Sequence, residues 1–310
     1  MKALLFPGQG SQLVGMGSEF YKNFKEAREI FKIADERLNY SITKIILEGP
    51  PEELQLTKNT QPAILTVSYA IFKVLKNSLK FDISSFKYFA GHSLGEYTAL
   101  VCAEAIQFSD AIYLLHERGK AMQNAVPVGE GDMIAVLGME IKEIINLINQ
   151  SKKNGVCEIA NDNAKGQVIV SGDKNEIKSL KSLLKEKKIK SIPLKVSAPF
   201  HCTLMKPAAE AMKDKINTIN FNNPKVEIIN NVNANVETNS NKIKELLINQ
   251  IFSSVRWRES IIKMSENGVN NFIEIGPGKA LSGMVKRTLE NVKNFSVNSL
   301  NDIEDLKNEF

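Results

Sequence analysis

Tyr88-Phe89-Ala90-Gly91-His92-Ser93-Leu94-Gly95-Glu96-Tyr97-Thr98-Ala99-Leu100-Val101 passes from a short apolar run, through two glycines that bracket a serine, into a helical pattern. The spacing is G-x-S-x-G, and its meaning depends on that order of strand, tight turn and helix. Glycine is needed on both sides of Ser93 because a Cβ there would strike the neighbouring strand or helix. The hydroxyl of Ser93 is left exposed above the first helical turn. There the backbone N–H of Leu94 and the positive helix end face a developing oxyanion. A catalytic Ser93 is expected in preference to a structural turn.

Working outward, apolar runs too short for helices recur at 3–6, 227–231, 272–275 and 295–297, with longer helical patterns between them. That alternation predicts an α/β fold with a parallel sheet covered by helices. From 132 to 197 the rhythm changes to strand 133–137, helix 141–150, strands 156–160 and 167–170, helix 175–187 and strand 190–195. The order βαββαβ is the ferredoxin-like unit. Pro127-Val128-Gly129-Glu130-Gly131 before it and Ala198-Pro199 after it suit hinges. The expectation is a large domain of 1–127 and 198–310, a small domain of 128–197 inserted into it, and a site in the cleft between them.

A chain of 310 residues with 43% hydrophobic content can bury a sizeable core, which excludes disordered and fibrous classes. Cys102, Cys157 and Cys202 form no CxxC and no even-numbered framework, so a disulfide scaffold, a zinc site or any other metal site is not expected. The first residues carry no signal-peptide pattern, and no later run approaches the ~20 apolar residues of a membrane span. A cytoplasmic protein without membrane attachment follows. The net charge of +5 favours acidic partners in general. No zinc finger, aromatic-plus-basic RNA motif or basic helix with heptads points to nucleic acid.

A serine hydroxyl needs a base within hydrogen-bond reach, and the chain has three histidines. His92 adjoins Ser93 at a turn where neighbouring side chains diverge, so packing is its reading. His116 lies mid-helix among Leu114, Leu115 and Glu117 and reads as structural. His201 follows the proline-bent Ser197-Ala198-Pro199-Phe200, where the chain re-enters the large domain, and is taken as the base. In the helix predicted from 110 to 124, Ala111, Leu115, Arg118 and Met122 share one stripe at ~100° per residue. Arg118 therefore faces inward, where an unpaired guanidinium is costly. Two destinations are open: an ion pair with a core carboxylate, or a bidentate clamp on a substrate carboxylate, which would make the acyl group a dicarboxylate half-thioester.

With these residues in place, the chain closely resembles the malonyl-CoA:acyl carrier protein transacylases. The resemblance runs nearly end to end through Phe6-Pro7-Gly8-Gln9-Gly10-Ser11-Gln12, Thr60-Gln61-Pro62-Ala63, the elbow with Glu96-Tyr97, and Arg118-Gly119-Lys120-Ala121-Met122-Gln123. It continues through Pro199-Phe200-His201, Gln250, Val255-Arg256-Trp257 and Glu274-Ile275-Gly276-Pro277-Gly278. The family's fold, a hydrolase-like α/β core with an inserted ferredoxin-like subdomain, agrees with the pattern above. The resemblance implies Ser93 as nucleophile, His201 as base, Arg118 as carboxylate anchor, and the N–H groups of Gln9 and Leu94 as the oxyanion hole. It implies Gln250 orienting His201 through its main-chain carbonyl, and lesser pocket or CoA contacts from Met122, Asn161 and Asn163. Phe200 is read both as packing and as a residue that crowds the acyl α-carbon.

The implied chemistry is ping-pong transfer of malonyl from malonyl-CoA, through Ser93, to the thiol of a transiently bound acidic acyl carrier protein, by a monomer with no permanently bound cofactor. Fatty acid synthesis is the implied destination, with a polyketide acyl loader as the variant reading. Lys174, Lys178, Lys181, Lys185, Lys187 and Lys188 crowd one helix whose other face carries Ile177, Leu180 and Leu184. They read as a solvated face, with carrier docking as the alternative. A serine esterase or thioesterase shares the elbow but places its histidine late in the chain, whereas none follows His201 here. A dinucleotide-binding protein would use Gly8-Gln9-Gly10 or Gly276-Pro277-Gly278, yet Leu13 and Leu281 stand at the third glycine positions.

Overall fold

The computed structural model describes residues 1–78 and 82–309. Six strands form one sheet: β1 (Lys2–Phe6), β2 (Phe86–Gly91), β7 (Glu227–Ile229), β8 (Val236–Glu237), β9 (Asn271–Ile275) and β10 (Lys293–Val297). Their order is β10-β9-β1-β2-β7-β8, parallel throughout except for the antiparallel edge strand β8. Ala3, Leu4, Leu5 and Phe6 are all fully buried, which is why β1 reads as a continuous apolar run instead of an alternating one. Leu4 and Phe6 join one core cluster, and Ala3 and Leu5 join another on the opposite face, as a period of two requires.

The second sheet holds β3 (Gly131–Leu137), β4 (Cys157–Ala164), β5 (Gln167–Asp173) and β6 (Ser191–Pro193) in the order β4-β5-β3-β6, with every pairing antiparallel. Ile134 and Val136 of β3 pack with Ile144 and Leu147 of the Ile141–Ser151 helix and with Ile177 and Leu180 of the Lys174–Glu186 helix. Met133 and Ala135, pointing the other way, belong to the large core cluster. The small sheet is thus covered by its own helices on one face and by the rest of the molecule on the other. Burying such a side chain contributes about 1.5–3 kcal/mol, so both faces anchor the sheet.

β4 runs four residues past the sequence expectation, to Ala164. The string Asn161-Asp162-Asn163 is polar enough to suggest a turn, but it has partners across the junction. Val255 donates its N–H to the Ala160 carbonyl at 2.8 Å and accepts from Asp162 N–H at 3.0 Å. Conversely β7 stops at Ile229, because Asn230 closes a local turn by donating to the Asn235 carbonyl. Among the described residues, no helix is long and apolar enough to cross a membrane.

In the six-stranded sheet the chain moves from the central β1 outward on one side to β2 and, much later, on the other side to β9. Such a switch point opens a crevice at the carboxyl ends of the strands. The loop after β1 carries Gln9 and the loop after β2 carries Ser93. The loop after β9, Gly276-Pro277-Gly278, packs beside the loop after β1, where a Cβ on Gly276 would lie 2.7 Å from Pro7 Cγ, and the Glu274 carboxylate of β9 accepts the N–H groups of Leu281 (3.2 Å) and Ser282 (2.8 Å) at the start of the Ala280–Thr288 helix. A buried carboxylate occupies the place a dinucleotide phosphate would need.

Candidate active site

The turn between β2 and the Leu94–Cys102 helix holds Ser93 at φ 54 and ψ −111, a conformation an L-residue adopts only under constraint. The constraint is visible on both sides. A Cβ on Gly91 would lie 1.9 Å from the Gly95 carbonyl carbon, and one on Gly95 would lie 2.2 Å from the Phe6 carbonyl oxygen. Asn231, at the exit of β7, fastens the elbow: its Oδ1 accepts the Ser93 N–H at 2.7 Å and its Nδ2 donates to the Gly91 carbonyl at 2.8 Å.

His201 also sits at positive φ, 58°, after the Pro199 bend. Its Nε2 lies 2.8 Å from Ser93 Oγ, and its Nδ1 lies 2.9 Å from the main-chain carbonyl of Gln250. The carbonyl can only accept, so the proton resides on Nδ1 and Nε2 is left to take the serine proton. Burial, assisted by the Arg118 cation, pushes the imidazole down to about 3, which keeps it neutral and able to accept.

Arg118, on the Phe108–Asn124 helix, is buried with the rest of its stripe. Its acceptors are all neutral: Gln61 Oε1 at 2.8 Å, Gln250 Oε1 at 2.9 Å and Ser93 Oγ at 3.1 Å. Its Nε has no hydrogen-bond partner among the described residues. The alternative of an ion pair with a core carboxylate is therefore corrected, for none pairs with Arg118 among the described residues. The neighbouring carboxyl, Glu96, instead accepts from Gln250 Nε2 at 2.8 Å and Asn231 N–H at 3.0 Å. Burial raises it to about 7.

These groups border a cavity of about 770 Å³ whose wall includes Ser93, His201, Arg118, Gln9, Leu94, Met122, Asn161 and Phe200. Met133 of β3 and Leu194 to Ser197 line it as well, together with Gln12, Glu52, Gln55, Leu56, Gln61 and His92, so both sheets contribute. The N–H groups of Gln9 and Leu94 donate to nothing else among the described residues and are free for an oxyanion. Gly8 keeps that loop close: a Cβ there would meet the His92 carbonyl oxygen at 2.6 Å.

Gln250 and Asn163 stand behind the wall. Asn163 Oδ1 lies 2.9 Å from His92 Nε2, and the His92 ring packs against Trp257 with centroids 5.6 Å apart. His116 bonds the Lys58 carbonyl at 3.0 Å and does not line the cavity. Sequence reasoning missed Gln61, Glu96 and Asn231 as parts of the site. The first two lie inside quoted motifs without an assigned role. Asn231 carries no local signal beyond ending an apolar run.

The chain matches the family described as acyl transferase domain over residues 3–304. A malonyl CoA-acyl carrier protein transacylase of Bacillus subtilis (strain 168) is 45% identical over 305 residues, 97% of this chain and 95% of that one. The crystal structure of an acyl-carrier-protein-S-malonyltransferase from Bartonella henselae superposes with a TM-score of 0.96 at 41% identity, covering 99% of this chain and 98% of the other. A malonyl-transacylase in complex with its type II polyketide acyl-carrier protein superposes with a TM-score of 0.95 at 37% identity, covering 99% of each chain.

Proposed function

The chain belongs to the acyl transferase family, and from that premise we propose that it transfers a malonyl group from malonyl-CoA to the phosphopantetheine thiol of an acyl carrier protein through an ester on Ser93. The observation that carries this reading is the fully buried Arg118, held 3.1 Å from Ser93 Oγ with only neutral partners. A cation so placed has no anion in contact with it, Glu96 acting only from behind Gln250, and the free carboxylate of a malonyl ester on Ser93 lies one methylene from the acyl carbon. An acetyl group would leave the cation unpaired.

In the first half-reaction His201 Nε2 takes the Ser93 proton as Oγ attacks the thioester carbonyl. The tetrahedral oxyanion is received by the N–H groups of Gln9 and Leu94. The C–S bond then breaks, and the CoA sulfur leaves with the proton from Nε2. In the second half-reaction the carrier thiol gives its proton to Nε2 and its sulfur attacks the seryl ester. Ser93 Oγ leaves and recovers the proton. The imidazolium is transient, and a thiol of pKa about 8.5 is a good leaving group, so a carbonyl at Nδ1 suffices where amide cleavage uses a carboxylate.

The same reading takes 1–127 and 198–310 as a hydrolase-like large domain and 128–197 as an inserted ferredoxin-like subdomain, supported by the antiparallel order β4-β5-β3-β6. Met122, Asn161 and Phe200 are wall contacts for the acyl or pantetheine group, whereas Asn163 acts through His92. The enzyme works as a cytoplasmic monomer in fatty acid synthesis, with its cysteines unpaired and buried. Intact-mass measurement after mixing with malonyl-CoA tests the core of it. A single malonyl adduct should form, vanish in Ser93→Ala, and discharge to carrier bearing phosphopantetheine but not to carrier lacking it. Discharge to water as fast as to carrier would make the protein a thioesterase instead.

A further inference from the structure

The side chain of Gln250 bridges three groups that the reaction needs. Its Oε1 accepts from Arg118 Nη2 at 2.9 Å, while its Nε2 donates to the Ser93 main-chain carbonyl at 3.1 Å and to Glu96 Oε2 at 2.8 Å. A primary amide has one accepting and one donating end, so its two orientations are not equivalent here. Reversed, it would set its NH2 against a guanidinium that can only donate and its oxygen against a carboxyl oxygen. Glu96 Oε2 is itself fixed, because it also accepts the rigid backbone N–H of Asn231 at 3.0 Å. Both bonds use the same oxygen, so they persist whether or not a proton sits on Oε1.

We propose that Glu96 is a positioning residue for substrate selectivity: by accepting from Gln250 it locks the amide so that Oε1 holds the Arg118 guanidinium beside Ser93, in reach of a dicarboxylate half-thioester. The inference rests on reading Arg118 as the malonyl anchor and adds what keeps that anchor in place. Without Glu96 the amide keeps only its longer bonds, from Nε2 to the Ser93 carbonyl at 3.1 Å and to Asn231 Oδ1 at 3.3 Å, so Oε1 holds Arg118 Nη2 less firmly, while Gln61 still holds Nη1 at 2.8 Å and Ser93 Oγ still accepts from Nη2 at 3.1 Å.

The test compares kcat/KM for malonyl-CoA and acetyl-CoA with the full chain. Glu96→Met removes the acceptor at similar size, and Gln250→Met removes the amide while keeping the main-chain carbonyl that His201 uses. Each should lower the malonyl-to-acetyl ratio about tenfold, chiefly through the KM for malonyl-CoA, as loss of one charge-assisted hydrogen bond implies. The double variant should lower it no further, because the two residues act in series. Glu96→Gln, whose amide oxygen is turned toward Asn231 N–H and Gln250, should keep the ratio within about twofold of the parent. An equal slowing of both substrates by Glu96→Met and Gln250→Met overturns the inference, as does a loss in Glu96→Gln as large as in Glu96→Met. If Glu96→Met does not fold, Gln250→Met and Glu96→Gln decide by the same criteria. Arg118→Ala separates the two levels: an unchanged ratio there sinks the anchor itself, whereas a collapsed ratio there with an unchanged one in Glu96→Met sinks only the role of Glu96.

Discussion

Arg118 and Arg258 are both held in place near the junction of the two sheets, and they are paired in opposite ways. Arg258 donates through Nε to Asp162 at 2.9 Å and through Nη1 to Glu140 at 2.8 Å, tying the Trp257–Glu266 helix to β4 and to the start of the Ile141–Ser151 helix. Its side chain is 18% exposed, so direct charge pairing is combined with partial hydration. Arg118 is 1% exposed and has no carboxylate partner among the described residues, only two amide oxygens and a hydroxyl. A partly buried cation matched by carboxylates is a fastening. One matched only by neutral dipoles is stable enough to persist and still gains from an anion, which is the electrostatic condition of a binding site.

The contrast breaks most visibly in kinetics. Arg118→Ala should reduce malonyl transfer by about 10²–10³-fold, since two charge-assisted hydrogen bonds are lost. Acetyl transfer should be maintained or improved, and parallel steady-state assays with both thioesters check it. Equal loss of both would return Arg118 to a structural role. In Arg258→Ala the order reverses: the malonyl-to-acetyl ratio should be preserved while stability falls by about 2–4 kcal/mol, because Asp162, 1% exposed, is left as an uncompensated buried carboxylate. Denaturant titration reads this, and an unchanged midpoint would remove the fastening argument.

The smallest effect is in pH. A histidine lowered from 6.5 to about 3 binds its proton better in the unfolded chain, so its contribution to stability is present above about 6.5 and is lost as pH falls toward 3. Between pH 7 and pH 5 that loss is roughly 1–2 kcal/mol. Arg118 is one cause of the lowering, so Arg118→Ala should lessen the acid loss, and Arg258→Ala should leave it unchanged. Because a change in the folded-state pKa is felt only as pH approaches it, unfolding midpoints at pH 7 and pH 3 provide the measurement. Identical acid losses in the parent and Arg118→Ala would mean that desolvation alone governs His201.

Each part of the site that a short segment can specify is legible in the sequence. The elbow is, because two glycines and a serine between an apolar run and a helix leave one compact solution. The inward direction of Arg118 is, because a helix repeats every 3.6 residues and places it in line with Ala111, Leu115 and Met122. Gln250 shows where such reading stops. It ends the Ser240–Gln250 helix, where a polar residue ordinarily faces water, yet it is buried and bonded to Ser93, Glu96 and Arg118, 157, 154 and 132 residues away. Asn161-Asp162-Asn163 fails as a local reading for the same reason: its partners, Val255, Arg258 and His92, come from other segments.

From the amino-acid order alone came the α/β class, the strained turn at Ser93, the choice of His201 from three histidines and the inward cation, because steric limits and side-chain periodicity act over a few residues. Tertiary structure alone decided that Arg118 meets amides and not a carboxylate, and that Glu96, Gln250 and Asn231 join into one network. Those hydrogen bonds depend on which strands and helices become neighbours, and burial, by removing water as a competing partner, makes the arrangement of distant polar groups the only way to satisfy them.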